Sequence, residues 1–155
     1  MTAYATSLFN AKVGPSSGHG LSRQSTHLHA VSGSISTWAA NDTIAVGYLP
    51  RGAVVTSCNL KAASQLDSNG SPTLALDVGI VGTPQLFKAA VTTVGHASGA
   101  SVDATIAAAG LLYANTTGAD VEVLVTVHTA ASTPVAGTLE VDIAYYVEDV
   151  AGSNP

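Results

Sequence analysis

From about residue 27 onward, apolar and polar positions alternate along the chain with a period of two. In the last such run Leu139, Val141, Ile143, Tyr145 and Val147 share one face, while Glu140, Asp142, Ala144, Tyr146 and Glu148 share the other. Successive side chains of a strand point to opposite sides, so this alternation predicts a strand with one buried face. Val121, Val123, Val125 and Val127 repeat the pattern, as do Leu74, Leu76, Val78 and Ile80, and Val54, Thr56, Cys58 and Leu60. Weaker runs span 27–37, 43–49, 85–91 and a piece within 102–114, where the Ala-rich stretch 104–109 would also suit one helical turn.

Turn chemistry separates these runs. Leu49-Pro50-Arg51-Gly52, Val81-Gly82-Thr83-Pro84, Thr117-Gly118-Ala119-Asp120 and Thr133-Pro134-Val135-Ala136-Gly137 carry the residues that reverse a chain. Asp67-Ser68-Asn69-Gly70 holds Asn-Gly, the strongest short hairpin signal. About eight strands with turns at this spacing predict an all-β domain, a sandwich or a barrel, and eight strands in two sheets would make a jelly roll. The sequence divides into an N-terminal arm (1–26), a β-sandwich domain (27–150) and a C-terminal tail (151–155). The arm holds Gly14-Pro15-Ser16-Ser17-Gly18-His19-Gly20, which resists regular structure, preceded by a short amphipathic piece with Tyr4, Leu8 and Phe9. Such a segment reads either as an arm that orders on a partner or as a loose terminus.

Composition sharpens the picture. The 155 residues are 46% hydrophobic but only 10% charged, where soluble domains average about 25%. Ser, Thr, Asn, Gly and Ala take the place of charge, a surface suited to packing against protein. The five basic residues, Lys12, Arg23, Arg51, Lys61 and Lys88, form no run and face ten acidic ones, which argues against nucleic-acid binding. The start lacks the pattern of a secretory signal, and the weakly polar run 104–114 is too short to span a bilayer, so the expectation is a chain made in the cytoplasm with no membrane contact.

Candidate chemistry is sparse. Gly14-Pro15-Ser16-Ser17-Gly18 matches the serine-hydrolase elbow in letters, but that elbow needs a strand before it and a helix after it. His27 and His29 would point to one face of a strand and supply two metal ligands, with His19, His96 or His128 as a third; the plainer reading is a polar entry to the first strand. Glu140 with Asp142, and Asp120 with Glu122, pair carboxylates on a strand face, where keeping an edge soluble is the commoner role. Asp67-Ser68-Asn69-Gly70 opens like a calcium loop without its later ligands. Asn41-Asp42-Thr43 and Asn115-Thr116-Thr117 fit the glycosylation pattern, which has no consequence without secretion. The lone Cys58 falls on an apolar face as a buried thiol, and Trp38 reads as packing before it reads as a sugar platform. No enzyme activity and no cofactor are expected.

The runs Leu49-Pro50-Arg51-Gly52-Ala53-Val54-Val55, Leu74-Ala75-Leu76-Asp77-Val78-Gly79 and Ala136-Gly137-Thr138-Leu139-Glu140-Val141-Asp142-Ile143-Ala144-Tyr145-Tyr146 resemble small β-sandwich proteins of tailed phages, among them capsid decoration (cement) proteins. The resemblance covers about 45–148. It implies a single jelly-roll-like β-sandwich of about eight antiparallel strands, with an extended N-terminal arm. It further implies a homotrimer on the outer capsid surface of the virion whose partner is the major capsid protein, with no catalysis. Contact residues are drawn from composition: Tyr4, Leu8 and Phe9 of the arm, and Trp38. A tail or neck accessory protein and a carbohydrate- or receptor-binding tip module are the alternatives; the latter would need a cluster of exposed aromatics.

Overall fold

The computed structural model describes residues 26–96 and 110–147, and the backbone of 3–4, 6–8 and 101–102. Ten strands run in chain order: β1 (Ala3–Tyr4), β2 (Thr6–Leu8), β3 (Thr26–Ser32), β4 (Thr43–Leu49), β5 (Ala53–Ala62), β6 (Ala75–Ile80), β7 (Thr83–Val91), β8 (Ser101–Val102), β9 (Val121–Thr129) and β10 (Leu139–Val147). They form two five-stranded sheets, ordered β1-β4-β9-β6-β7 and β2-β3-β10-β5-β8. Without the two N-terminal pieces, the orders β4-β9-β6-β7 and β3-β10-β5-β8 are those of a jelly roll. Every pairing is antiparallel except β1 with β4. The eight strands read from the sequence correspond to β3–β10, and the Ala-rich 104–109 lies outside the described residues.

The period-two pattern builds the core directly. Leu74, Leu76 and Val78 from one sheet meet Cys58, Leu60, Leu139, Val141 and Ile143 from the other, all buried, with Val123, Val125 and Val127 beside them. Burying such side chains stabilises the fold by about 1.5–3 kcal/mol each. Two details differ from the sequence reading. In β5, Ala53 and Val55 rather than Val54 and Thr56 share the core with Cys58 and Leu60. A register shift between Ala144 and Tyr145 of β10 inserts an extra residue in β5, and Thr56 turns outward to bond the Ala144 carbonyl at 3.1 Å. The Asn-Gly turn does not close a hairpin either, because β5 and β6 belong to different sheets. The true two-residue hairpin is Val81-Gly82 between Ile80 and Thr83, with Gly82 at φ 86.

Edge strand β7 is guarded against pairing with another chain. It carries Pro84, two register shifts against β6, Ala90 at φ 47, and Lys88 buried opposite Val78. Proline, bulges and an inward charge are the devices that keep an edge from templating a further strand.

Candidate functional site

The candidate chemistry is dispersed over the molecule. His27 and His29 alternate with buried Leu28 and Ala30, so both rings sit on the outer face as the spacing predicts. His27 Nδ1 lies 2.7 Å from Asp142 Oδ1, and His29 stands opposite Asp142 in the strand register. The other described histidines are elsewhere. His96 Nε2 is 2.9 Å from the Leu74 carbonyl, and His128 Nδ1 is 3.0 Å from Asp77 Oδ2 on the other sheet. Among the described residues no three His, Cys, Asp or Glu side chains gather to hold a metal ion. His19 and the Gly14–Gly18 motif lie outside the described residues.

Asp142 and Glu140 each meet a side chain of a neighbouring strand rather than facing each other across a cleft: Asp142 takes His27, and Glu140 lies 3.7 Å from Lys61 Nζ. Asp120 Oδ1 accepts the Arg51 backbone N–H at 3.2 Å. Buried Asp77 accepts the Ala90 N–H at 2.6 Å, which holds the β7 bulge, together with His128 and Gln85. These carboxylates anchor local structure.

Asp67 is the most heavily engaged of them. It is fully buried, and its two oxygens accept N–H groups from Asn69 (3.2 Å), Thr73 (2.8 Å), Leu74 (3.2 Å), Ser132 (3.0 Å) and Thr133 (2.9 Å). Burial pushes its pKa up, but the backbone donors of Thr133, Thr73, Ser132 and Asn69 outweigh that and hold it well below the usual carboxylate range. With both oxygens saturated by donors, the calcium-loop reading does not apply; the carboxylate itself ties two loops together.

Asn115 plays the matching role at the opposite end. It is buried, donating through Nδ2 to the carbonyls of Leu49 (3.1 Å), Pro50 (3.1 Å) and Ala119 (2.8 Å) and accepting from Thr117. A buried amide with its bonds filled is no glycan acceptor. Cys58 is buried and its thiol is pushed up to about 12 by burial, with Lys88 lowering and Asp142 raising it, so it stays protonated and unreactive at neutral pH. Trp38 is buried with Nε1 donating to the Val135 carbonyl at 3.0 Å. It fills the core, and its assignment as an outward contact gives way to that packing role.

In the arm, the backbone of Ala3–Tyr4 pairs with Thr43–Ile44 and that of Thr6–Leu8 with Ser32–Ala30, one on each sheet. Phe9 lies outside the described residues.

What the sequence did not reveal is the end of the sandwich around the β4–β5 turn. Of six exposed large hydrophobic residues among those described, Tyr48, Val81, Leu111, Leu112 and Val147 are each more than half exposed and lie at this end. Tyr48 pairs with Glu122, whose carbonyl takes the Val81 N–H; Val147 pairs with Ala53; Leu112 N–H bonds the Val55 carbonyl. An open cleft of about 270 Å³ sits here, lined by Arg51, Gly52, Val54, Ala114, Asn115, Thr116 and Gly118. No periodicity marks it, because its walls come from turns far apart in the chain.

No family model and no curated protein matches the chain. Solved structures do. A chain of the cyanophage Pam1 capsid asymmetric unit is 29% identical, with a TM-score of 0.66, over 90% of this chain and 97% of its own length. A chain of the Ralstonia phage GP4 capsid is 23% identical, with a TM-score of 0.68, over 97% of this chain and all of its own. Both neighbours come from phage capsids. Since each is covered almost completely, the likeness is to whole small chains and not to one domain of a larger subunit. The likeness to the GP4 chain is one of fold; that to the Pam1 chain extends to sequence.

Proposed function

We propose that this protein is a decoration protein of a phage head, bound to the outer surface of the assembled shell as a symmetric oligomer, a trimer by the resemblance, and stabilising it without catalysis. The observation that carries the reading is the match, over nearly its full length, to a small chain of a phage capsid asymmetric unit. The low charge and the apolar end suit a surface made for protein contact. A ligand that binds only the assembled shell stabilises it by mass action. Attachment through several linked copies strengthens this, since later contacts become intramolecular.

The test is addition of purified protein to shells that lack it. It is expected to bind in a fixed ratio to the major shell protein and to raise the temperature at which the shell opens. Protein that fails to co-sediment with shells, or binds without changing that temperature, contradicts the reading.

The arm, with Tyr4, Leu8 and Phe9, is assigned to docking on the shell or on a neighbouring subunit. Deleting 1–25 leaves β3 whole and removes none of the described core residues. The truncated protein is therefore expected to fold, by circular dichroism, but to bind shells at least about tenfold more weakly, as for loss of one linked contact. Undiminished binding removes the arm from the docking surface.

A further inference from the structure

We infer that the apolar end around the β4–β5 turn is a contact between copies of this chain, in which the Leu111–Leu112 knob of one copy enters the cleft of the next. The inference rests on the coat reading only for the oligomer that reading expects.

Three features point to a second copy as occupant. The knob is built to project: Leu112 holds φ 58, a left-handed conformation that side chains rarely adopt, and both leucines stand in solvent at a turn closed by the Tyr113 N–H on the Gly110 carbonyl. The socket lies beside it on the same chain, with Val54, Ala114 and Gly52 as apolar walls, so every copy offers both halves of the contact. The charges are also self-complementary. Arg51 lines the cleft, while Asp120 is exposed and Glu122 half-buried at the same end, so a symmetric pairing can set the cation of one copy against an acid of the next. Among the described elements, β7 is guarded as an edge against a further copy, and the opposite end is occupied by the loops tied to Asp67.

The experiment is sedimentation of the full chain, without shells, over a range of concentrations. The wild type is expected to associate. L111D/L112D removes the knob, and A114R fills the socket from an exposed position. Each is expected to sediment as a monomer, with a dissociation constant raised at least about thirtyfold as for loss of a hot spot, and with the circular dichroism spectrum of the folded protein unchanged. An equimolar mixture of the two variants keeps one intact knob and one intact socket and is expected to regain a two-chain species. A wild type that stays monomeric, or variants that keep its mass, overturns the inference. So does a chain ending at Val147 that associates more tightly than the full chain, since its own tail would then be the occupant. A monomeric wild type whose L111D/L112D variant no longer binds shells assigns the knob to the shell instead. Because no shell is present in the sedimentation runs, failure of the coat reading leaves their outcome unaffected.

Discussion

Asp67→Asn is expected to lower the unfolding free energy by about 3–5 kcal/mol at neutral pH, the cost of breaking a buried, hydrogen-bonded charge. In a chain of this size that moves the melting temperature down on the order of 10 °C. The amide keeps one acceptor, but whichever way it turns its NH2 group faces N–H donors, those of Thr73, Leu74 and Ser132 on one side or those of Asn69 and Thr133 on the other. The loops before β6 and after β9 then lose their common tie. The effect has a defined pH dependence. The folded pKa of Asp67 is depressed, so its contribution is fully present above the unfolded carboxylate value of about 3.9 and fades as pH falls toward the folded value. The gap between wild type and variant, followed by thermal unfolding, is therefore expected to be widest near neutrality and to narrow progressively below about pH 4. Equal melting temperatures at pH 7 would show that the five bonds do not carry the loop.

Gly79→Ala is expected to destabilise by at least about 3 kcal/mol, beyond the usual range for an added methyl, because the obstruction is backbone. Between Val78 paired with Lys88 and Ile80 paired with Thr83, β7 carries more residues than β6, and the surplus folds across Gly79. A Cβ there would overlap the carbonyl oxygens of Thr83 and Pro84, with the Pro84 carbonyl carbon at 2.5 Å. The control is Gly82→Ala in the neighbouring hairpin, where a methyl meets nothing within 4 Å and only the positive φ is strained. That change is expected to cost about 1–2 kcal/mol. Urea unfolding of both variants separates close approach from turn strain; comparable losses would contradict the packing described at Gly79.

The two-residue rhythm made the architecture legible, since each run such as Leu74-Leu76-Val78 or Val123-Val125-Val127 needs only its own spacing to mark the buried face. The outward pairing of His27 and His29 was legible for the same reason. What failed were features set by distant segments. The Asn-Gly signal is local and cannot tell that β5 and β6 lie in different sheets, nor that Asp67 reaches forward to Ser132 and Thr133. The outward turn of Thr56 arises from an extra residue in β5 that is defined only by the pairing with β10, which nothing in the β5 sequence records. Trp38 followed its packing reading because Val135, far along the chain, supplies the acceptor its indole needs. The cleft and its leucine knob were invisible because Arg51, Val54 and Ala114 come together only through the fold.

The most direct test is to count and locate this protein in purified virions, by quantitative mass spectrometry against the major shell protein together with particle imaging. A copy number in constant proportion to the shell subunits, with density on the outer face of the head in symmetric clusters, is the expected result. A handful of copies confined to the tail or neck, or absence from the particle, would contradict it.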